Sequence, residues 1–215
     1  MFLIRDLGIQ EYGKVFNEMK NFTIHRKPDT TDEIWLLEHF PVYTQGQAGK
    51  AEHIIAPLDI PVVQSDRGGQ ITYHGPGQLV VYFLLDCQKN HLGIKQLVTG
   101  IEQLTLELLS QFAIPAHTIC KAPGVYVDNK KIASLGLRLK NNCSYHGLAI
   151  NVNMDLSPFN NINPCGFAKM PMTQISDYFP DIDIKAIKSA FTSTIYNYVF
   201  DNKLFKELSC SISSN

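Results

Sequence analysis

The chain reads as an α+β fold, and three observations carry that expectation. Strand-like and helix-like segments follow one another in irregular order, with no βα rhythm and no internal repeat, which disfavours a doubly wound sheet. The apolar run Leu79 to Leu85 has the length of a buried strand. Residues 94 to 112 carry the clearest helical pattern, with Ile94, Leu97, Val98, Ile101, Leu104, Leu108 and Phe112 on one broad face.

In chain order, the spacing of Ile9, Tyr12, Phe16 and Met19 predicts a helix over 9–22. A polar break at 28–32 precedes the apolar run Ile34 to Leu37, and Gly46 to Gly49 reads as a loop. Ile60 to Gln64 reads as a short strand that Pro61 places at an edge or a start. Residues 67–78 form a glycine-rich segment ahead of the 79–85 strand. Gly124 to Val127 and Lys131 to Leu139, joined at Asp128-Asn129, predict a hairpin. Cys143 to Asn153 predicts another strand, and 184–200 a closing helix. At 215 residues the chain suits one domain, 1–208, with a polar tail at 209–215.

A chain of this size buries roughly 70% of the surface its unfolded form exposes, so no disulfide or metal is needed to hold it together. Lys plus Arg is 19 and Asp plus Glu is 20, which gives no general case for a nucleic acid or membrane partner. A local basic patch for an acidic partner stays compatible with that balance. Five cysteines (87, 120, 143, 165, 210) in irregular spacing, with no CxxC pair, disfavour a disulfide framework or a zinc site. Met1 to Ile4 is too short an apolar run for a signal peptide, and Leu79 to Leu85 is far short of the ~20 residues of a membrane helix. The expected setting is a reduced cytoplasm.

Cys165 lies between Pro164 and Gly166, a frame that stiffens one side of the thiol and opens the other. An ammonium nearby favours the thiolate, the reactive form, and Lys131 in the run Lys131-Ile132-Ala133-Ser134-Leu135-Gly136 is the candidate. On residue type alone, a cysteine is more often a small buried hydrophobe and a hairpin lysine is solvated. The glycine-rich segment Arg67-Gly68-Gly69-Gln70-Ile71-Thr72-Tyr73-His74, continuing to Gly75 and Gly77, either cradles a ligand with backbone N–H groups or makes a tight turn. It is neither a P-loop nor a dinucleotide-binding fingerprint. His74 and His146 serve equally well as bases or as backbone donors. Cys87, Cys120, Cys143 and Cys210 lack any such frame and are taken as structural. The residues alone lead to a cysteine-based acyl transferase or hydrolase.

Three blocks, RGGQITYHGPGQ at 67–78, KIASLGLR at 131–138 and HGLAINVNMDLSPFNNINPCG at 146–166, resemble the signature segments of the lipoyl(octanoyl) transferases of lipoate synthesis. EHFPVYTQGQAGKAEH at 38–53 is similar to the family too, with Phe40 where proline is usual. The resemblance implies a biotin/lipoate ligase-like fold: a mixed sheet flanked by helices, enclosing an acyl tunnel. It implies that Cys165 takes the octanoyl group from octanoyl-acyl carrier protein as a thioester and that Lys131 lowers the thiol pKa and relays protons. Arg67 to His74, Ser134-Leu135-Gly136 and Gly147-Leu148-Ala149 then line the substrate pocket, with backbone N–H groups near Gly75–Gly77 or at Cys165 holding the oxyanion. The acceptors implied are lipoyl domains of 2-oxoacid dehydrogenase E2 subunits and the glycine cleavage H protein, with no cofactor, no metal and a monomeric enzyme. The competing readings are an ATP-dependent lipoate or octanoate ligase, a cysteine thioesterase and a non-catalytic acyl-binding module.

Overall fold

The computed structural model describes residues 2–57, 59–164 and 170–200, without the side chains of Val199 and Phe200. Cys165, Cys210 and the 209–215 tail therefore lie outside the described residues. The elements are β1 (Phe2–Gln10), α1 (Tyr12–Ile24), β2 (Asp32–His39), β3 (Val42–Gln45), β4 (Val62–Gln64), β5 (Ile71–His74), β6 (Gln78–Leu84), α2 (Ile94–Ser110), β7 (His117–Ile119), β8 (Ala122–Val127), β9 (Lys130–Lys140), β10 (Cys143–Asn151) and α3 (Ile184–Phe200). Seven strands form one sheet in the order β1-β2-β6-β10-β9-β8-β7, and three form a second in the order β4-β3-β5. The large sheet is mixed: β1 runs parallel to β2, while the other neighbours are antiparallel.

The apolar runs of β2 and β6 are continuous because both faces of the sheet centre are covered. Ile34 and Leu36 of β2 with Leu79, Val81 and Phe83 of β6 face one core, shared with Leu97, Ile101, Leu104 and Leu108 of α2 and with Ile187, Phe191 and Ile195 of α3. The alternate residues Trp35, Leu37, Val80, Tyr82 and Leu84 face a second core against Val15 and Met19 of α1. This is the expected α+β arrangement of a mixed sheet flanked by helices. The β8–β9 hairpin also forms as expected, with Asp128 and Asn129 at φ 47° and 62° supplying the left-handed pair that a tight two-residue turn requires.

Two expectations need correction. The helix predicted over 9–22 begins at Tyr12, because Phe2–Gln10 is a strand paired with β2. Ile9, counted as the first residue of the helical stripe, pairs with Glu38 in the ladder and is exposed. The glycine-rich segment is likewise not a loop throughout: β5 occupies Ile71–His74 and pairs with β3. Pro61 precedes the edge strand β4, as expected. Cys87 and Cys143 are buried, and burial pushes both thiols up, which suits packing residues. Cys120 is exposed, so the packing role assigned to it does not hold. No described helix is long and apolar enough to cross a membrane.

Candidate active site

Strand register builds a hollow on the α1 side of the large sheet. Val80 of β6, Ala149 of β10 and Ser134 of β9 stand side by side, and the next rung holds Tyr82, Gly147 and Gly136. Four of these six positions carry a small residue, and a cavity of about 50 Å³ opens above them. Arg67, Gly69, Gln70, Ile71, Thr72 and His74 close it from the glycine-rich segment. Leu135 and Leu148 line it as the blocks implied, Gly68 lines a neighbouring space instead, and Tyr12, Val80, Tyr82 and His146 line it without having been assigned there. Tyr73 does not reach this cavity. Strand alternation turns it away from Thr72 and His74, and it packs edge-on against Phe159 at 5.6 Å.

The polar groups around the hollow are held by one another. Arg67 donates from Nε to Thr44 Oγ1 at 3.1 Å and from Nη1 to Gly68 O at 2.9 Å. His74 shares a 2.7 Å hydrogen bond with Gln78 Oε1 and a 3.2 Å contact with Thr44 Oγ1. Gln78 donates to Asn151, and Asn151 to Thr173 O, whose own N–H donates to Lys131 O. Tyr82 is fixed by a 2.7 Å hydrogen bond to His39 Nε2, and Tyr12 donates to Ser65 Oγ at 2.7 Å. His146 sits at φ 61°, with Nε2 on Asp66 at 2.9 Å and a buried Nδ1 that lacks a partner. Asp66, hydrogen-bonded by His146 and Tyr145, is held down to about 2 despite burial.

Burial pushes His39 down to about 4 and His74 down to about 3, the neighbouring ring adding to the shift at His74. Both are therefore neutral in the folded protein at neutral pH. Because the unfolded chain binds protons to these side chains more readily, stability falls as pH drops below about 6.5 and keeps falling to the folded values. Each histidine is expected to remove on the order of 2 kcal/mol between pH 7 and pH 5. Denaturant melts across that range test this, and a flat profile contradicts buried, neutral imidazoles.

A second space of about 430 Å³ shares Gly69, Leu135 and Gly136 with the first, so the two adjoin at β9 and the glycine-rich segment. Its lining includes Gly68, Ile94 and Val98 of α2, Lys121, Pro123 and Lys131. Lys131 is 1% exposed. Its Nζ donates to Pro123 O at 3.1 Å and stands 5.1 Å from the centre of the Tyr126 ring. This is no solvated hairpin residue. Its main chain is pinned as well: Lys131 N–H donates to Pro171 O, and Thr173 N–H to Lys131 O. At the other flank of the Cys165 segment, Asn163 N–H donates to His53 O and Ile162 pairs with Ile54.

The expected oxyanion donor at Gly77 is committed elsewhere, since its N–H donates to Glu38 at 2.9 Å. No group of three His, Cys, Asp or Glu among the described residues forms a metal-binding cluster. The geometry offers a small, mostly apolar hollow beside a wider cleft with a buried lysine at its edge.

The family model described as the lipoyl protein ligase A/B catalytic domain matches residues 16–196. A relative from Legionella pneumophila (strain Lens) named Octanoyltransferase is 57% identical over 189 residues, covering 88% of this chain and 95% of its own length. Among solved structures, a bi-partite lipoate protein ligase from Thermoplasma acidophilum superposes with a TM-score of 0.75 at 15% identity, over 96% of this chain and 91% of that one. Biotin protein ligase from Aquifex aeolicus superposes with a TM-score of 0.58 at 18% identity, over 99% of this chain and 76% of that one. These two likenesses show a shared ligase-like fold.

Proposed function

The chain belongs to the lipoyl protein ligase A/B catalytic-domain family, and from that premise we propose that it is an octanoyltransferase carrying octanoyl groups to lipoyl domains. The observation that carries this is Lys131, buried at the edge of a cleft that adjoins an apolar hollow built by the three blocks. The donor is octanoyl-acyl carrier protein. The acceptors are lipoyl domains of 2-oxoacid dehydrogenase E2 subunits and the glycine cleavage H protein, and the enzyme acts as a monomer in the cytoplasm.

In the first half-reaction the Cys165 thiolate attacks the thioester carbonyl. A C–S bond to Cys165 forms, the bond to the carrier sulfur breaks, and the leaving thiolate takes a proton from the Lys131 ammonium. Lys131 is then neutral. In the second, the neutral amine of the lipoyl-domain lysine attacks the acyl-enzyme and gives its proton to Lys131, while Cys165 leaves as thiolate. The cycle closes with the ion pair restored, and the amide product makes the second step favourable.

The small hollow takes the far end of the acyl chain, and the reacting end lies in the wider cleft. A space of about 50 Å³ holds roughly two groups of about 30 Å³ each, only the tip of an eight-carbon chain. Tyr82 and Tyr12 line it, each hydroxyl pinned by a hydrogen bond. Each buried methylene contributes about 0.8 kcal/mol, so apolarity alone favours longer chains and a rigid end is what sets the length. Ala149→Leu pushes three carbons into this space and is expected to lower octanoyl transfer roughly tenfold against hexanoyl transfer, the loss of about two methylene sites. Competition between the two carrier-bound acyl groups measures it; an unchanged ratio removes the hollow from acyl binding.

Transfer from octanoyl-acyl carrier protein to an apo lipoyl domain without ATP tests the function. Dependence on free octanoate and ATP assigns the chain to the ligases. Release of octanoate without a lipoyl domain makes it a thioesterase.

A further inference from the structure

Glu102 stands on α2 one turn beyond Val98 and two beyond Ile94, the two α2 residues that line the cleft at Lys131. Its Oε1 accepts the Gly124 N–H at 2.9 Å. The same peptide group turns its other end to the lysine, with Pro123 O accepting from Lys131 Nζ at 3.1 Å. A carboxylate, a peptide dipole and an ammonium therefore stand in series, each hydrogen bond polarising the next. Gly124 has a φ of +132°, and a Cβ there would fall 2.7 Å from Ala133 O and 3.2 Å from both Cε and Nζ of Lys131. Only glycine lets the lysine reach this carbonyl.

We propose that Glu102 is a positioning residue for the transfer reaction: through the Pro123–Gly124 peptide it holds Lys131 Nζ at the cleft and keeps it an ammonium while Cys165 takes the acyl group. This rests on the octanoyltransferase function proposed above. Burial pushes the Glu102 carboxyl up, while the Gly124 N–H and the Lys131 charge draw it back, so carboxylate and ammonium are coupled across the peptide. Among the described residues, the Tyr126 ring on β8 also stands against Lys131 Nζ, and Lys121 of the β7–β8 turn lines the same cleft. The Glu102 carboxylate favours the charged form of Lys131.

The test follows acyl-enzyme formation from octanoyl-acyl carrier protein in single turnovers across pH, read by mass. The alkaline limb reports loss of the Lys131 proton. Glu102→Gln keeps an oxygen for Gly124 and removes the charge; it is expected to move that limb down by about one pH unit, a tenfold loss of ammonium at a given pH. Glu102→Asp is expected to restore the limb toward its original position at a reduced rate. Glu102→Met serves as the neutral variant should Glu102→Gln not fold. A limb unmoved in the neutral variant, or moved equally by Glu102→Asp, overturns the role of Glu102. Absence of acyl-enzyme in the unaltered chain instead overturns the transferase function, so the two failures are distinct.

Discussion

Replacing Cys165 with alanine or serine is expected to abolish octanoyl transfer, by at least about 10⁴-fold, the scale on which loss of a covalent nucleophile is felt. The reason is chemical: a thioester acceptor is lost, and neither a methyl group nor an unactivated hydroxyl replaces it at neutral pH. Thermal unfolding of the variant, run alongside, separates loss of chemistry from loss of fold. Retention of transfer by Cys165→Ala contradicts a covalent intermediate on that sulfur.

The second large effect is expected at Lys131. Lys131→Met keeps much of the apolar stem at a site 1% exposed and removes the charge. Transfer is expected to fall about 10²- to 10⁴-fold, because in the proposed cycle both the proton given to the leaving carrier thiol and the proton taken from the acceptor amine pass through this nitrogen. Alkylation of Cys165 at pH 7 is expected to slow about tenfold or more, on the proposal that the Lys131 charge favours its thiolate. Because Cys120 is exposed and reacts with the same reagent, the rate is read on the Cys165 peptide by mass. An unchanged alkylation curve removes Lys131 from the thiolate pair. Stability should change little: the Pro123 carbonyl loses its donor, and a buried charge disappears with it.

The parts of the fold that the sequence made legible are those where local chemistry and tertiary packing agree. β6 reads as a buried strand because both of its faces meet a core, and the β8–β9 turn reads from two residues suited to positive φ. β1 was hidden for the opposite reason. It is an edge strand with Leu3 and Ile9 exposed, so its apolar residues carry no clean alternation, and Ile9 falls in phase with the helix that follows. β5 was hidden by the glycines around it, although Ile71 to His74 contains none.

At the site, the blocks identified nearly every residue of the hollow through the glycine-rich segment, β9 and β10. Tyr12 and Tyr82 escaped because a tyrosine in an amphipathic helix or an apolar strand looks like core, and only register shows that each meets a gap left by small residues elsewhere. Tyr73 was assigned with its neighbours although a period of two already separates it from Thr72 and His74. Glu102 had a signal: a carboxylate four and eight residues after Val98 and Ile94 continues an apolar stripe with a charge. What it meets there, the far side of the peptide that holds Lys131, depends on contacts made across the fold.

The central claim is that an octanoyl group rests on Cys165 between donor and acceptor. Intact mass spectrometry after incubation with octanoyl-acyl carrier protein, without ATP, tests it, followed by peptide mapping and addition of an apo lipoyl domain. One octanoyl adduct on the Cys165 peptide, which then moves to the domain's lysine, is the expected result. No adduct and no transfer until octanoate and ATP are supplied contradicts it.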